Sequence, residues 1–271
     1  MKKTIKHVLI SGAGSGLGLG LASRYLKQGL AVSVFDLDIK GNAKHSLDEL
    51  ALAHQTKWQF YKTDISAAKQ VEKNVAQAIE HFGPIHLAIN SAGVLINKRM
   101  EDTSPEEFKW VIDVNLNGSF NFASAVLPHL QKGAQFALIS SMAGLFSNYA
   151  YSAYGASKFG VVGLATTLRY EYEHRGIHIS CVCPPEVKTP MVAAELKSGN
   201  PVSIAMKKFG GSMDADDACD QIVAGLHTQK WMIIPSLNGK LLASFARVFP
   251  TPFFALTQQV IKYTEKKLNK A

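Results

Sequence analysis

The stretch His7-Val8-Leu9-Ile10-Ser11-Gly12-Ala13-Gly14-Ser15-Gly16-Leu17-Gly18 decides the architecture of this chain. His7 to Ser11 reads as a short buried strand, and Leu19 to Gln28 has helical character. Between them every second residue from Gly12 to Gly18 is glycine. Strand, glycine turn and helix together make a phosphate-binding turn. The glycines let the backbone approach a pyrophosphate, and the helix N-terminus offers free N–H groups and a favourable dipole. The spacing is Gly-x-x-x-Gly-x-Gly and fits Gly-x-Gly-x-x-Gly in no frame. A flexible turn without a ligand is the competing reading.

The pattern continues outward. Ala31 to Phe35 is a second strand ending at Asp36. An acid there can accept hydrogen bonds from adenosine ribose hydroxyls and repel a 2′-phosphate. Leu37 follows, so no cation welcomes that phosphate at once; a helix N-cap is the other use for such an aspartate. Lys57 to Tyr61 is a third strand, with Asp64-Ile65 after it, and Ser66 to Phe82 is helical. Ile85 to Ile89 leads into Asn90-Ser91-Ala92-Gly93, whose small residues let a ligand come close at a strand's carboxyl end. Ser104 to Leu130 reads as one helical stretch, capped by Ser104-Pro105-Glu106-Glu107. Asn115 within it is a mediocre helix former, so its burial would need a reason. Gln135 to Ser140 is a strand with Ser141 at its end, Ala150 to His174 a helix, and Ile177 to Val182 a sixth strand.

Six alternating strand–helix units imply an α/β fold: a doubly wound parallel sheet with helices on both faces. Met191 to Met213 breaks the rhythm and suits a cap over a substrate; Asp214 to Gln229 is a helix and Trp231 to Ile234 a last short strand. Residues 1–235 form one domain, followed by a helical extension over 236–271.

Chemistry is carried by Ser141 and by Tyr154-Gly155-Ala156-Ser157-Lys158. On one helix, Tyr154 and Lys158 share a face at i,i+4. A free phenol has a pKa of about 10, and a fixed ammonium nearby favours the phenolate. Such a pair can exchange a proton with a substrate hydroxyl, with a serine holding the substrate oxygen. Taken alone, Tyr-x-x-x-Lys is more often an ordinary turn of amphipathic helix.

Taken together, these motifs resemble the classical short-chain dehydrogenases/reductases over roughly residues 5 to 235, in the family's order and spacing. The resemblance implies a Rossmann-type, NAD(P)(H)-dependent oxidoreductase acting on a secondary alcohol or ketone. It implies that Gly12, Gly16 and Gly18, with Ser15 and Leu17 between them, hold the pyrophosphate. Asp36 would favour NAD(H) over NADP(H). Asp64 and Ile65 would meet the adenine, and Asn90, Ala92 and Gly93 the adenosine ribose. Pro184, Val187 and Thr189 would flank the nicotinamide. Asn115, Ser141, Tyr154 and Lys158 match the catalytic tetrad, with Lys158 lowering the tyrosine pKa and holding the nicotinamide ribose, and Asn115 placing a water through its main chain. A homodimer or homotetramer is the usual assembly. Three positions depart from the pattern: Ser11 for threonine, Ser91 for a second asparagine, and Pro185 for the glycine after Pro184. Pro185 lacks an N–H and stiffens its loop.

Composition is ordinary for a globular protein, 47% hydrophobic and 18% charged. Cys181, Cys183 and Cys219 form no even disulfide framework and fit a reducing, cytoplasmic compartment. Cys181 and Cys183 read as core residues, and no metal site is expected. The basic start, Met1 to Lys6, superficially resembles a leader, but glycines break the apolar run behind it. No uninterrupted 18-residue apolar span is present.

The net charge is +8, and six of that excess lies from Lys230 onward, where seven cations face Glu265 alone. No nucleic-acid motif accompanies it. Leu237 to Phe249 and Phe253 to Lys270 are apolar and basic, interrupted by Pro250-Thr251-Pro252. They fit either a cover over the substrate pocket or a dimer face, or a peripheral membrane contact with lysines on acidic head groups. Either suits an apolar substrate of steroid, retinoid or fatty-alcohol type. The alternative to an active enzyme is a catalytically silent cofactor-binding or membrane-associated interaction protein.

Overall fold

A computed structural model of the chain describes residues 6–268, with the side chains of 208–210 left aside. Seven parallel strands form one sheet: β1 (His7–Ser11), β2 (Ala31–Asp36), β3 (Trp58–Lys62), β4 (Leu87–Asn90), β5 (Gln135–Ile139), β6 (His178–Val182) and β7 (Met232–Ile233). Their spatial order is β3-β2-β1-β4-β5-β6-β7. The chain reverses its direction of travel between β1 and β4, with Val8 opposite Leu87 and Ser11 opposite Asn90. In a doubly wound sheet this switch point opens the crevice where ligands bind.

Helices cover both faces. Val8 and Ile10 point to one side, where α1 (Gly16–Lys27), α2 (Gly41–Ala53) and α9 (Ala215–His227) supply Leu21, Tyr25, Leu47 and Ile222. Leu9 points to the other, against Val71 and Val75 of α3 (Ala68–Phe82) and Val161 and Ala165 of α6 (Ser152–Tyr172). Both faces are buried, which is why β1 reads as a continuous apolar run. Cys181 and Cys183 lie in the second of these cores, with their sulfurs 3.9 Å apart.

Two segments differ from the sequence reading. The stretch expected as one helix from Ser104 to Leu130 is α4 (Pro105–Ile112), a π turn (Asp113–Asn117) and α5 (Gly118–Val126), followed by a single 3₁₀ turn. The capping box at Ser104 and Glu107 forms as expected. The π turn contains Asn115, whose carbonyl accepts from the Ser119 hydroxyl at 2.5 Å. Such turns concentrate at functional sites. The region after β6 is two proline-led helices, α7 (Pro190–Ser198) and α8 (Pro201–Gly210), with Thr189 and Asn200 accepting from their first turns.

The last helices are α10 (Leu237–Val248) and α11 (Pro250–Leu268). Pro250 does not merely interrupt: it starts α11, a position where proline's missing N–H costs nothing. α11 packs against α8 and α10. Among the described residues no helix is long and apolar enough to cross a membrane.

Candidate active site

The carboxyl ends of the strands open onto a cavity of about 1030 Å³. At one end lies the glycine turn. Gly12 has φ +65°, and a Cβ there would stand 2.5 Å from the backbone of Ala92. A Cβ on Gly18 would stand 2.1 Å from the Gly12 carbonyl, so the first turn of α1 sits directly on the loop. Ser15 is an extended N-cap whose side chain makes no cap, so the helix's first amides face the cavity end. This is a cradle for an anion held by backbone. Asp36 ties β2 to the turn: its carboxylate accepts from Gly14 N and Leu37 N, both at 2.7 Å. The Asp64 carboxylate folds back on Ser66, accepting from its amide and hydroxyl. These residues fit an adenine dinucleotide, with the pyrophosphate at the turn and the ribose at Asp36.

Of the sixteen expected cofactor contacts, Asn90 is placed differently. It is buried beneath the cavity wall, not in it. Its Oδ1 accepts from Ser11 Oγ and its Nδ2 donates to Ser119 Oγ at 2.8 Å. Ser119 passes the chain on to the Asn115 carbonyl, and Asn115 Nδ2 donates to Ser157 Oγ at 2.9 Å. Ser157 Oγ donates in turn to the Tyr154 carbonyl at 2.7 Å. The departure at Ser11 is therefore used: its hydroxyl begins a buried polar run from the nucleotide turn to the tyrosine helix.

Asn115 is fully buried and also lies behind the wall. It clamps Val94, accepting from its N–H at 2.7 Å and donating to its carbonyl at 2.9 Å. That answers why an asparagine sits inside a helix: its side chain holds the loop after β4.

Tyr154 and Lys158 line the cavity from α6, one turn apart. Ser141 at the end of β5 hydrogen-bonds Tyr154 and accepts from Ala143 N at 3.1 Å. Lys158 Nζ donates to the Ile139 carbonyl at 3.0 Å and stands 5.6 Å from the Tyr154 ring centre. It also neighbours Asn115 Oδ1 around the space that Gly93 leaves free of a Cβ. The expected lowering of the phenol is not what the polypeptide provides. Burial pushes Tyr154 up to about 12, and the Ser141 bond only partly opposes it. Burial pulls Lys158 down to about 8. The ammonium is turned to a backbone carbonyl, not to the phenol oxygen, so desolvation wins.

Four further wall residues escape sequence reasoning: Tyr151, Glu186, Glu195 and Lys207. The Tyr151 hydroxyl donates to Glu195 Oε1 at 2.6 Å, and its ring packs edge-on against Tyr154, centres 5.2 Å apart. Asn97 Nδ2 also donates to Glu195 Oε1, and Lys207 Nζ to Glu195 Oε2, each at 2.5 Å. Lys207 stands 2.9 Å from Glu186 as well. Beyond them the wall is apolar: Phe146, Leu242, Phe245, Phe253 and Ile261 close it from α10, α11 and the loop before α6. Tyr151 stands at the N-cap of α6, three residues before Tyr154, and the others converge from separate segments, so no local pattern marks the cluster.

Comparison with known proteins agrees. The short chain dehydrogenase family model matches residues 6–199. A 3-dehydrosphinganine reductase of Arabidopsis thaliana is 36% identical over 245 residues, covering 88% of this chain and 72% of that protein. A cyclohexanol dehydrogenase of an Acinetobacter strain is 36% identical over 192 residues, covering 69% of this chain and 75% of its own. Among solved structures, a short chain dehydrogenase/reductase of Burkholderia phymatum in complex with NAD shares the fold with a TM-score of 0.79 at 24% identity, over 91% of this chain and 94% of that one. The protein belongs to the classical short-chain dehydrogenase/reductase family, oxidoreductases acting on CH–OH and C=O groups with a nicotinamide cofactor.

Proposed function

We propose that the enzyme reduces a ketone on a long apolar chain, with Tyr154 as proton donor and NADH preferred over NADPH. The observation that carries this is a neutral, buried phenol between a backbone anion cradle and an apolar channel. A phenol held near 12 carries its proton at neutral pH and can give it to a developing alkoxide. When bound, the nicotinamide supplies the hydride. Ser141 positions the carbonyl oxygen beside the Tyr154 hydroxyl. Lys158, mostly protonated at neutral pH, is placed by Gly93 and Asn115 to meet the cofactor ribose and to re-supply the proton. Asn115 keeps the floor rigid, and its main-chain carbonyl is the acceptor for a relay water. Pro184, Val187 and Thr189, ahead of α7, flank the nicotinamide, and Ala92 and Gly93 the ribose.

The substrate class follows from the wall. Helices α10 and α11 supply much of its apolar lining, so the extension serves as pocket cover. Among known relatives, the match to a 3-dehydrosphinganine reductase supports a lipid-like ketone rather than a steroid or retinoid. Exposed on these helices are Leu241, Val248 and Phe249, interspersed in sequence with the exposed Lys240, Arg247, Lys262 and Lys266. That mixture suits peripheral contact with an anionic bilayer, each lysine adding about 1 kcal/mol. Salt-sensitive sedimentation with anionic vesicles tests it; no binding at low salt removes it. Exposed Trp110, Phe120 and Phe159 on α4 to α6 support self-association, which solution scattering would measure.

The main test follows NADH absorbance with 3-dehydrosphinganine and with cyclohexanone. Reduction of the long-chain ketone with the higher kcat/KM is expected. Turnover of neither ketone overturns the reading.

A further inference from the structure

The polar cluster beside Tyr154 is unusual in an otherwise apolar channel. Glu195 is 4% exposed and has three donors, from Tyr151, Asn97 and Lys207. Both its oxygens are engaged, two donors on Oε1 and one on Oε2, so it serves as the fixed base of the cluster. Glu186 differs. Its Oε2 is buried and lies 2.9 Å from Lys207 Nζ, yet without the alignment of a hydrogen bond. Lys207 is thus one ammonium between two carboxylates, and it directs its hydrogen bond to Glu195. The trio carries a surplus negative charge within a low-dielectric wall. Glu186 is partly buried and shares its one cation with Glu195, and a second cation reaching its exposed side would complete the pairing.

Glu186 is also held in place. Its carbonyl accepts from Met213 N at 2.8 Å, and Pro184-Pro185 precede it. Pro185, the departure from the family pattern, therefore stiffens the segment that presents this side chain. The cluster sits one ring's width from the reacting phenol, because Tyr151 contacts Glu195 with its hydroxyl and Tyr154 with its ring.

We infer that Glu186 selects substrates bearing an ammonium next to the reacting carbonyl, an α-amino ketone rather than a plain ketone. The inference rests on the ketone reductase reading above and adds the residue that sets head-group specificity. Glu186 accepts from the ammonium while Tyr154 meets the adjacent oxygen. The alkyl chain then runs outward along Phe146 and Phe253. A carboxylate in place of the ammonium is repelled by the same charge.

The test compares kcat/KM for 3-dehydrosphinganine and for its analogue without the amine, in wild type and in Glu186→Gln. A hydrogen bond to a charged group is worth ~10–100-fold. Wild type is expected to prefer the amine by that factor. In Glu186→Gln the ratio of kcat/KM for the two substrates should fall toward one, a loss of ~10-fold or more in preference whatever the variant's overall rate. Equal loss on both substrates, or no preference in wild type, overturns the inference and leaves the reductase reading standing. Turnover of neither overturns both. Wild type also gives a readout that needs no variant: dodecylamine should compete with the plain ketone ~10-fold or more better than dodecanol. Equal inhibition by the two overturns the inference.

Discussion

The two ends of the cavity are built from different materials. At the nucleotide end the groups that matter are backbone: the Gly12–Gly18 turn, the first amides of α1, and a carboxylate that itself holds Gly14 N. At the substrate end they are side chains from the loop after β4, the start of α6, the loop after β6, and α7, α8, α10 and α11. A backbone site demands glycine within a few residues, so it leaves a compact local signature. A side-chain site can draw Asn97, Glu186, Glu195 and Lys207 from anywhere in the chain. The first end accommodates what all family members share, and the second can vary without disturbing it.

The sharpest way to probe the junction of the two ends is Tyr154→Phe, which removes the proton-carrying oxygen and keeps the ring. Turnover should fall by ~10²–10⁴-fold while cofactor affinity stays within a few-fold. Stopped-flow fluorescence with NADH and steady-state rates check both. A variant with half the wild-type rate would refute the proton-donor role.

Asp36→Ala probes the nucleotide end alone. It removes the charge facing a 2′-phosphate and an acceptor for the ribose hydroxyls, so the NADH-to-NADPH ratio of kcat/KM should fall ~10–100-fold. Substrate KM should not move. A wild type that uses NADPH as well as NADH would sink the assignment of Asp36.

These two ends also differ in what the sequence disclosed. The glycine turn, Asp36 and the Tyr154–Lys158 pair were legible because each obeys a local rule: a close approach, a strand end, a helical repeat. The sheet was legible for the same reason, since fully buried strands read as short apolar runs. The π turn at Asn115 was not, because its cause lies at Val94, far away in sequence. The direction of the tyrosine shift was also hidden. Spacing places Lys158 on the correct face, but not its bond to Ile139 or the depth of burial that outweighs it.

Phe253→Ala probes the substrate end alone. Phe253 packs edge-on against Phe146 and Phe245, with ring centres 5.1 and 6.1 Å away, joining α11 to α10 and to the loop before α6. Its loss should raise KM for a long-chain ketone about tenfold and leave cyclohexanone within twofold, since only the longer chain reaches that wall. Equal changes for both would place the extension outside the pocket's function.

The smallest effect lies at the amino ends of the central strands, opposite the cavity at their carboxyl ends, and it tests whether stability is separable from either end of the cavity. His7 starts β1, is fully buried, and stands between the Gly83 carbonyl, 3.0 Å from Nδ1, and Ser33 Oγ, 2.9 Å from Nε2. A carbonyl only accepts, so Nδ1 carries the hydrogen and Nε2 accepts from the serine in the neutral ring. Burial lowers the ring to about 4 from the ordinary 6.5, with the Gly83 bond opposing and His86 and His81 assisting. Between those values the unfolded chain binds a proton that the folded chain refuses, so stability falls as pH falls through that window. From pH 7 to 5.5 the loss is about 1 kcal/mol, which lowers the melting temperature by ~2–4 °C. In His7→Asn the ring is gone, and the same acid step should cost less by that amount. Melting curves at the two pH values decide it. An unchanged acid step in the variant would move the sensitivity to another group, and a parallel change in substrate KM would show that the amino end of β1 and the pocket are coupled after all.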